Sequence, residues 1–208
     1  MAAVAACVIL APQPGRAQEK AADASHSRVG VRIGGLATFD GFNDKYGDGW
    51  QMSLFFTERM ISWLDLEIRI GALYMGDLQD AELDDEQTGR FGIGSAMRIL
   101  YFSAGPMVDT RLGSNTTGYL SAGVGVYSVS IEFDSGVTSF DFSDQDVGFN
   151  GGAGLSRRLS TNWSVEANTT LHYVIVSDIP QDIYYSFTEG ADAPFILDIS
   201  LGVTLGLR

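Results

Sequence analysis

The last twelve residues alternate without an error: Leu197, Ile199, Leu201, Val203, Leu205 and Leu207 fall between Asp198, Ser200, Gly202, Thr204, Gly206 and Arg208. Successive side chains of an extended chain point to opposite faces, so a period of two over this length specifies a strand with one apolar and one small or polar face. The pattern recurs. Val29, Val31 and Ile33 alternate with Gly30, Arg32 and Gly34; Trp50, Met52, Leu54 and Phe56 with Gln51, Ser53, Phe55 and Thr57; Leu64, Leu66, Ile68 and Ile70 with Asp65, Glu67, Arg69 and Gly71. It returns at Val147 to Ser156 and at Trp163 to Tyr173. Two further segments, residues 91–102 and 118–133, read less cleanly, and in the second the apolar face switches between Val126 and Tyr127, which predicts a β-bulge.

These segments make eight strands, each about the 9 to 11 residues that a tilted strand needs to cross a bilayer. Short connections at Glu58–Ser62 and Ser160–Asn162 alternate with long polar ones at Asp40–Gly49, Gly76–Thr88, Asp134–Asp146 and Ser177–Pro194. The fourth-to-fifth connection, Ser103–Thr117, is longer than this alternation expects. Short turns at one end and long loops at the other describe an all-β, eight-stranded antiparallel up-and-down transmembrane β-barrel. The last strand must then pair with the first, because an open strand edge in hydrocarbon leaves backbone N–H and C=O groups unsatisfied at several kcal/mol each.

A soluble lipocalin-like barrel shares the period and differs in which face points outward. Three features favour lipid. The polar face is built from Gly, Ser, Thr and Asn, as a cramped interior requires. Aromatic residues stand near strand ends, at Phe39, Trp50, Trp63, Tyr74, Tyr101, Tyr119, Phe133, Trp163, Tyr173 and Phe195, where interfacial girdles would need them. No amphipathic helix is evident to pack against a soluble barrel. No stretch reaches the ~18 consecutive apolar residues of a membrane-spanning helix, so any spanning is by strands.

Residues 1–17 hold an apolar run, Ala2–Ala11, and a small-residue end at Gly15-Arg16-Ala17, which fits a secretory signal peptide cleaved after Ala17. Residues 18–27 form a flexible leader and 28–208 the barrel domain. The single cysteine, Cys7, lies in the segment to be removed, so the mature chain has no thiol chemistry. A formal charge of −13, with 26 acidic against 13 basic residues, excludes a nucleic-acid surface.

On this register Arg32, Asp65, Glu67, Arg69, Arg98, Arg158, Glu166, His172 and Asp198 face the lumen as a mixed-sign charge network. Such pairs would fill and rigidify an interior just wide enough for side chains, or, by breaking and re-forming, gate a narrow ion path. The outer loops are acidic, most densely at Asp77, Asp80, Glu82, Asp84, Asp85 and Glu86, but the spacing fits no EF-hand, and no metal or other cofactor is expected. Neither His26, in the leader, nor His172, mid-strand, accompanies a nucleophile motif, so no catalysis is expected.

The run from Val147 to Leu155 and on through Arg158-Leu159-Ser160-Thr161-Asn162-Trp163 to Glu166, with Tyr119-Leu120-Ser121-Ala122-Gly123-Val124-Gly125-Val126-Tyr127, resembles strands five to seven of the OmpA-like outer-membrane β-barrel family. That resemblance implies an eight-stranded barrel exported through the periplasm to the outer membrane. Its partners would be outer-membrane lipid, lipopolysaccharide and the barrel-insertion machinery, and its state monomeric. It implies a structural, adhesive or envelope-integrity role and brings no catalytic residues. The ending Leu207-Arg208 departs from the family's usual terminal aromatic residue, and the peptidoglycan-binding domain that some relatives carry is not expected here. Three function classes remain: a structural or adhesive barrel, a narrow ion or small-solute channel, and a soluble ligand-binding barrel.

Overall fold

A computed structural model describes residues 27–38, 49–61, 63–75, 94–134, 139–175 and 195–207. The signal peptide, leader residues 18–26, Cys7, His26, Phe39, the side chain of Phe133 and the acidic segment Asp77–Glu86 lie outside the described residues, and Ser27, expected to end the leader, is the first residue of the first strand. The described strands are β1 (Ser27–Thr38), β2 (Gly49–Ile61), β3 (Leu64–Met75), β4 (Gly94–Arg111), β5 (Thr116–Asp134), β6 (Ser139–Arg158), β7 (Trp163–Ile175) and β8 (Phe195–Leu207). Each pairs antiparallel with its sequence neighbour, and β1 pairs with β8 from Ser27↔Leu207 to Thr38↔Ile196, which closes the barrel.

Closure removes every edge within the wall, and the alternation decides which side faces lipid. Leu201, Leu120, Ile33 and Leu54 point outward, whereas Gln51, Thr170, Asp198 and Arg32 are buried inside. On the outer face of β7, Trp163 and Tyr173 stand ten positions apart. At ~3.3 Å per residue and a tilt of ~40°, that is roughly 25 Å along the membrane normal, the height of an apolar band between two aromatic girdles. Trp50 stacks on Tyr74 with ring centroids 5.8 Å apart, and Tyr173 lies 4.9 Å from Phe195, both at the long-connection end. Tyr101 and Tyr119 do not belong to a girdle: they are buried in the lumen at 3% and 6% exposure.

Two strand ends differ from the sequence reading, and one expected irregularity is absent. β4 runs to Arg111, so the expected connection Ser103–Thr117 is mostly strand and the turn is only 112–115. β6 begins at Ser139, which reduces the expected loop Asp134–Asp146 to 135–138. No bulge separates Val126 from Tyr127: the β5 register with β4 and with β6 runs through both residues unbroken. The apparent switch of face is a change in what the lumen contains. Tyr127 and Val129 point inward with Leu36, Leu73, Met75, Met97, Ile99, Tyr101, Val174 and Ile196, forming an apolar plug at the long-connection end.

Among the described residues β6 pairs with β7 from Val147↔Ile175 onward, and Ser139–Asp146 pairs with β5. The β5 residues opposite it, Tyr127–Asp134, pair on their other side with Gly94–Tyr101 of β4, so β4, β5 and β6 stay hydrogen-bonded together at the long-connection end.

Lumen aromatics are seated on glycine. A Cβ on Gly71 would stand 2.5 Å from Cζ of Tyr101, and one on Gly154 would collide with the Tyr119 ring. The bare backbone opposite each ring is what lets rings of this size share so narrow an interior. Gly71→Ala is expected to lower the unfolding free energy in micelles by about 1–3 kcal/mol, as overpacking does. The loss should shrink in a Tyr101→Ala background, where the ring the methyl meets is gone; equal losses in both backgrounds would refute the contact.

Candidate functional site

The lumen is the one place where the described residues assemble charged and polar groups away from water, and each arrives by strand parity. Arg32 comes from β1, Asp65, Glu67 and Arg69 from β3, Glu166 from β7 and Asp198 from β8, and all are buried. Two clusters result.

In the deeper cluster Arg32 bridges two carboxylates, with Nη2 3.0 Å from Glu67 Oε2 and Nε 3.0 Å from Glu166 Oε1. Arg69 Nη2 donates to Glu67 Oε1 at 2.5 Å, so Glu67 lies between two guanidinium groups. Tyr119 Oη donates to Glu166 Oε2 at 3.1 Å, and Asn168 Nδ2 donates to Tyr119 Oη at 3.1 Å. The Arg32 guanidinium also lies 3.9 Å over the centroid of Phe55, a cation–π contact that replaces part of its lost hydration. Arg69 Nη1 donates to Thr170 Oγ1 at 3.1 Å, which ties the cluster to β7.

The second cluster sits nearer the short turns. Arg28 Nη2 lies 2.5 Å from Asp65 Oδ2, Arg59 Nε pairs with the same carboxylate, and Arg59 Nη2 reaches Asp109 Oδ2 at 2.8 Å. Ser27 Oγ donates to Glu58 beside them. The sequence reading does not single out Arg28, Arg59 or Asp109. Arg28 and Arg59 each lie at the edge of a clean alternation, and Asp109 lies in a stretch that reads as a connection.

Above the clusters His172, fully buried, has Nδ1 3.2 Å from Tyr127 Oη and its ring 5.0 Å from that of Tyr101. Asn150 Nδ2 donates to the same Tyr127 oxygen at 3.3 Å. Among the described residues neither His172 nor Asp198 forms an ion pair.

Two of the residues expected in the network stand elsewhere. Arg98 faces outward from β4, opposite Tyr74, because Met97, Ile99 and Tyr101 take the lumen positions of that strand. It is placed where an arginine meets the headgroups beside the Trp50–Tyr74 pair, not where it can join a lumen pair. Arg158 keeps lumen parity, but at the very end of β6; it is exposed and lines the mouth at the short-turn end, outside the ion-paired clusters.

Known proteins share this architecture. A family model described as outer membrane protein beta-barrel domain matches residues 3–193. Neisserial surface protein A has a similar structure at a TM-score of 0.60, 12% identical over 88% of this chain and 98% of that one. A major outer membrane protein from Thermus thermophilus matches at a TM-score of 0.57, 16% identical over 86% and 98% of the two chains. Ail, the attachment invasion locus protein of Yersinia pestis, matches at a TM-score of 0.54, 15% identical over 87% and 97%. No curated protein matches the chain in sequence. At these identities the likeness is one of fold.

Proposed function

This chain belongs to the outer membrane protein beta-barrel domain family and resides in the outer membrane, and from that premise we propose that it is a plugged, non-catalytic barrel with a structural or adhesive role. The observation that carries the reading is the filling of the lumen along its length. Charge clusters occupy the half nearer the short turns, Tyr101, Tyr127 and His172 the middle, and the apolar group from Leu36 to Ile196 the half nearer the long connections. An ion entering this path would have to displace fully buried Leu73, Met75 and Ile196, which offer it no ligand. Breaking an ion pair among Arg32, Glu67 and Glu166 does not move that plug, so a gate made of those residues alone opens nothing.

The same burial argues against chemistry. His172 is 0% exposed and is held by tyrosines, so no substrate reaches it. Function then falls to the surfaces the barrel displays: the apolar wall, which seats it in outer-membrane lipid and lipopolysaccharide after the barrel-insertion machinery has placed it there, and the outer end, where the long β4–β6 strands end and the long connections begin. Closure within one chain gives no reason for an oligomer. Ail is by its name an attachment protein, which agrees with the adhesive form of this reading.

Purified protein in planar bilayers is expected to show no discrete conductance steps, and Glu67→Gln is expected to show none either. Steps in the wild type that vanish in Glu67→Gln would establish the channel instead. A strain lacking the protein should gain detergent sensitivity if the role is envelope integrity. If the role is adhesion, it should lose surface attachment that a barrel with shortened 76–93 and 176–194 fails to restore.

A further inference from the structure

The described residues at the short-turn end of the barrel carry a charge opposite to that of the whole chain. Among the described residues of a chain of formal charge −13, five arginines stand there, Arg28, Arg59, Arg111, Arg157 and Arg158, against the carboxylates Glu58, Asp65 and Asp109. Arg28 and Arg59 are neutralised by Asp65 and Asp109. Arg111 and Arg158 are not: among the described residues neither has an ion-pair or hydrogen-bonding side-chain partner. Both line a cavity of about 230 Å³ in the barrel mouth.

The rest of the lining is suited to a hydrogen-bonding guest. Asn115, Asn162, Thr117 and Ser164 contribute amides and hydroxyls, and the buried Thr204 hydroxyl has no partner among the described residues. The walls are fixed by the turns. Arg158 N donates to Asn115 O at 2.8 Å, and Gly206 N donates to Asn162 O at 2.8 Å, so both turns are bonded to neighbouring strands. Arg28, Arg59 and Asp109 line the inner end of the cavity, the Asp109 carboxylate being held by Arg59, and the Arg28–Asp65–Arg59 cluster fills the lumen there, so the cavity faces the short-turn end, which in an outer-membrane barrel is the periplasmic side.

We propose that this mouth is a binding site for a small water-soluble oxyanion from the periplasm, a phosphate or carboxylate group on a hydroxylated body, gripped by Arg111 and Arg158. Two unneutralised guanidinium groups supply the charge-assisted, fork-shaped donors that such a group needs. The surrounding amides and hydroxyls take the polar body. The cavity lies on the barrel axis and not on the outer wall, which favours a soluble anion over the headgroups that surround the barrel.

The test is calorimetric titration of the full chain, folded in a maltoside detergent at matched ionic strength, with inorganic phosphate and with glycerol 3-phosphate. Saturable one-to-one binding is expected, weakened about tenfold for each arginine removed in Arg111→Gln and Arg158→Gln, as loss of about 1.4 kcal/mol per contact dictates. Arg157→Gln, on the outward face of the same turn, should leave it unchanged. Unboiled gel mobility checks that each variant is folded. Absence of saturable binding with both probes, or an equal loss in Arg157→Gln, overturns the site. In phosphatidylcholine nanodiscs, adding phosphatidylglycerol should leave phosphate binding intact; competition by that lipid would make a headgroup the ligand and overturn the soluble one. Neither failure touches the plugged-barrel reading, which rests on conductance.

Discussion

Arg32→Met is expected to be the most damaging single change in the lumen, lowering the unfolding free energy by about 3–5 kcal/mol, the usual cost of leaving a buried charge without its partner. The reason is that Arg32 serves two carboxylates unequally. Glu67 keeps Arg69 at 2.5 Å when Arg32 is gone, but Glu166 keeps only the Tyr119 hydroxyl, with no cation. The double variant Arg32→Met/Glu166→Gln should therefore recover most of the loss, and Arg32→Met/Glu67→Gln should not, because that pair also strips Arg69 of its carboxylate. Urea titration of the barrel in micelles, together with the temperature at which the fast-migrating unboiled band converts to the slow one, reads both. Equal recovery from the two double variants would mean that Arg32 is held by packing over Phe55 and not by charge.

Leu201→Arg tests the wall. Leu201 lies at the midpoint of β8, points outward with 68% of its surface exposed, and is flanked by Ile33 and Ala167 across the two neighbouring strands. An arginine there enters the centre of the hydrocarbon, which costs about 2–4 kcal/mol, whereas the same change at Leu207, beside the interface, should cost about 0–1 kcal/mol. Refolding into vesicles of graded lipid thickness, followed by unfolding in guanidinium, distinguishes the two positions. A penalty that is the same at both, or absent at Leu201, would mean that this face does not meet hydrocarbon.

Where the lumen is polar, its residues are legible in the sequence, because lumen and lipid faces then differ in chemistry. Arg32, Glu67 and Arg69 sit in strands whose alternate positions are Val, Ile and Leu, and Glu166 stands between Val165 and Ala167, so parity alone turns them inward. Where the lumen is apolar, the same rule loses its sign. Residues 97–102 are apolar on both faces apart from Arg98, and nothing local says whether Met97 and Ile99 or Leu100 and Phe102 meet lipid. An arginine there reads as a lumen charge because charges avoid hydrocarbon. Its height on the strand, near the headgroups and beside Tyr74, removes that objection. Tyr127 and Val129 mislead in the same way: two apolar residues entering the lumen look like a register shift.

The class of fold, the number of strands, the closed topology and the face of each cleanly alternating segment are all written in the order of the residues. They follow from a period of two and from the cost of an open strand edge in lipid, both local or generic constraints. What the lumen contains at each height is settled by the assembled barrel alone. Arg32 and Glu166 lie 134 positions apart in the chain, and Arg28 and Asp65 37 apart, and only their strand registers bring them to one level. Register depends on hydrogen-bonded pairing between strands and on which glycine lies opposite which ring, and alternation within one strand carries neither.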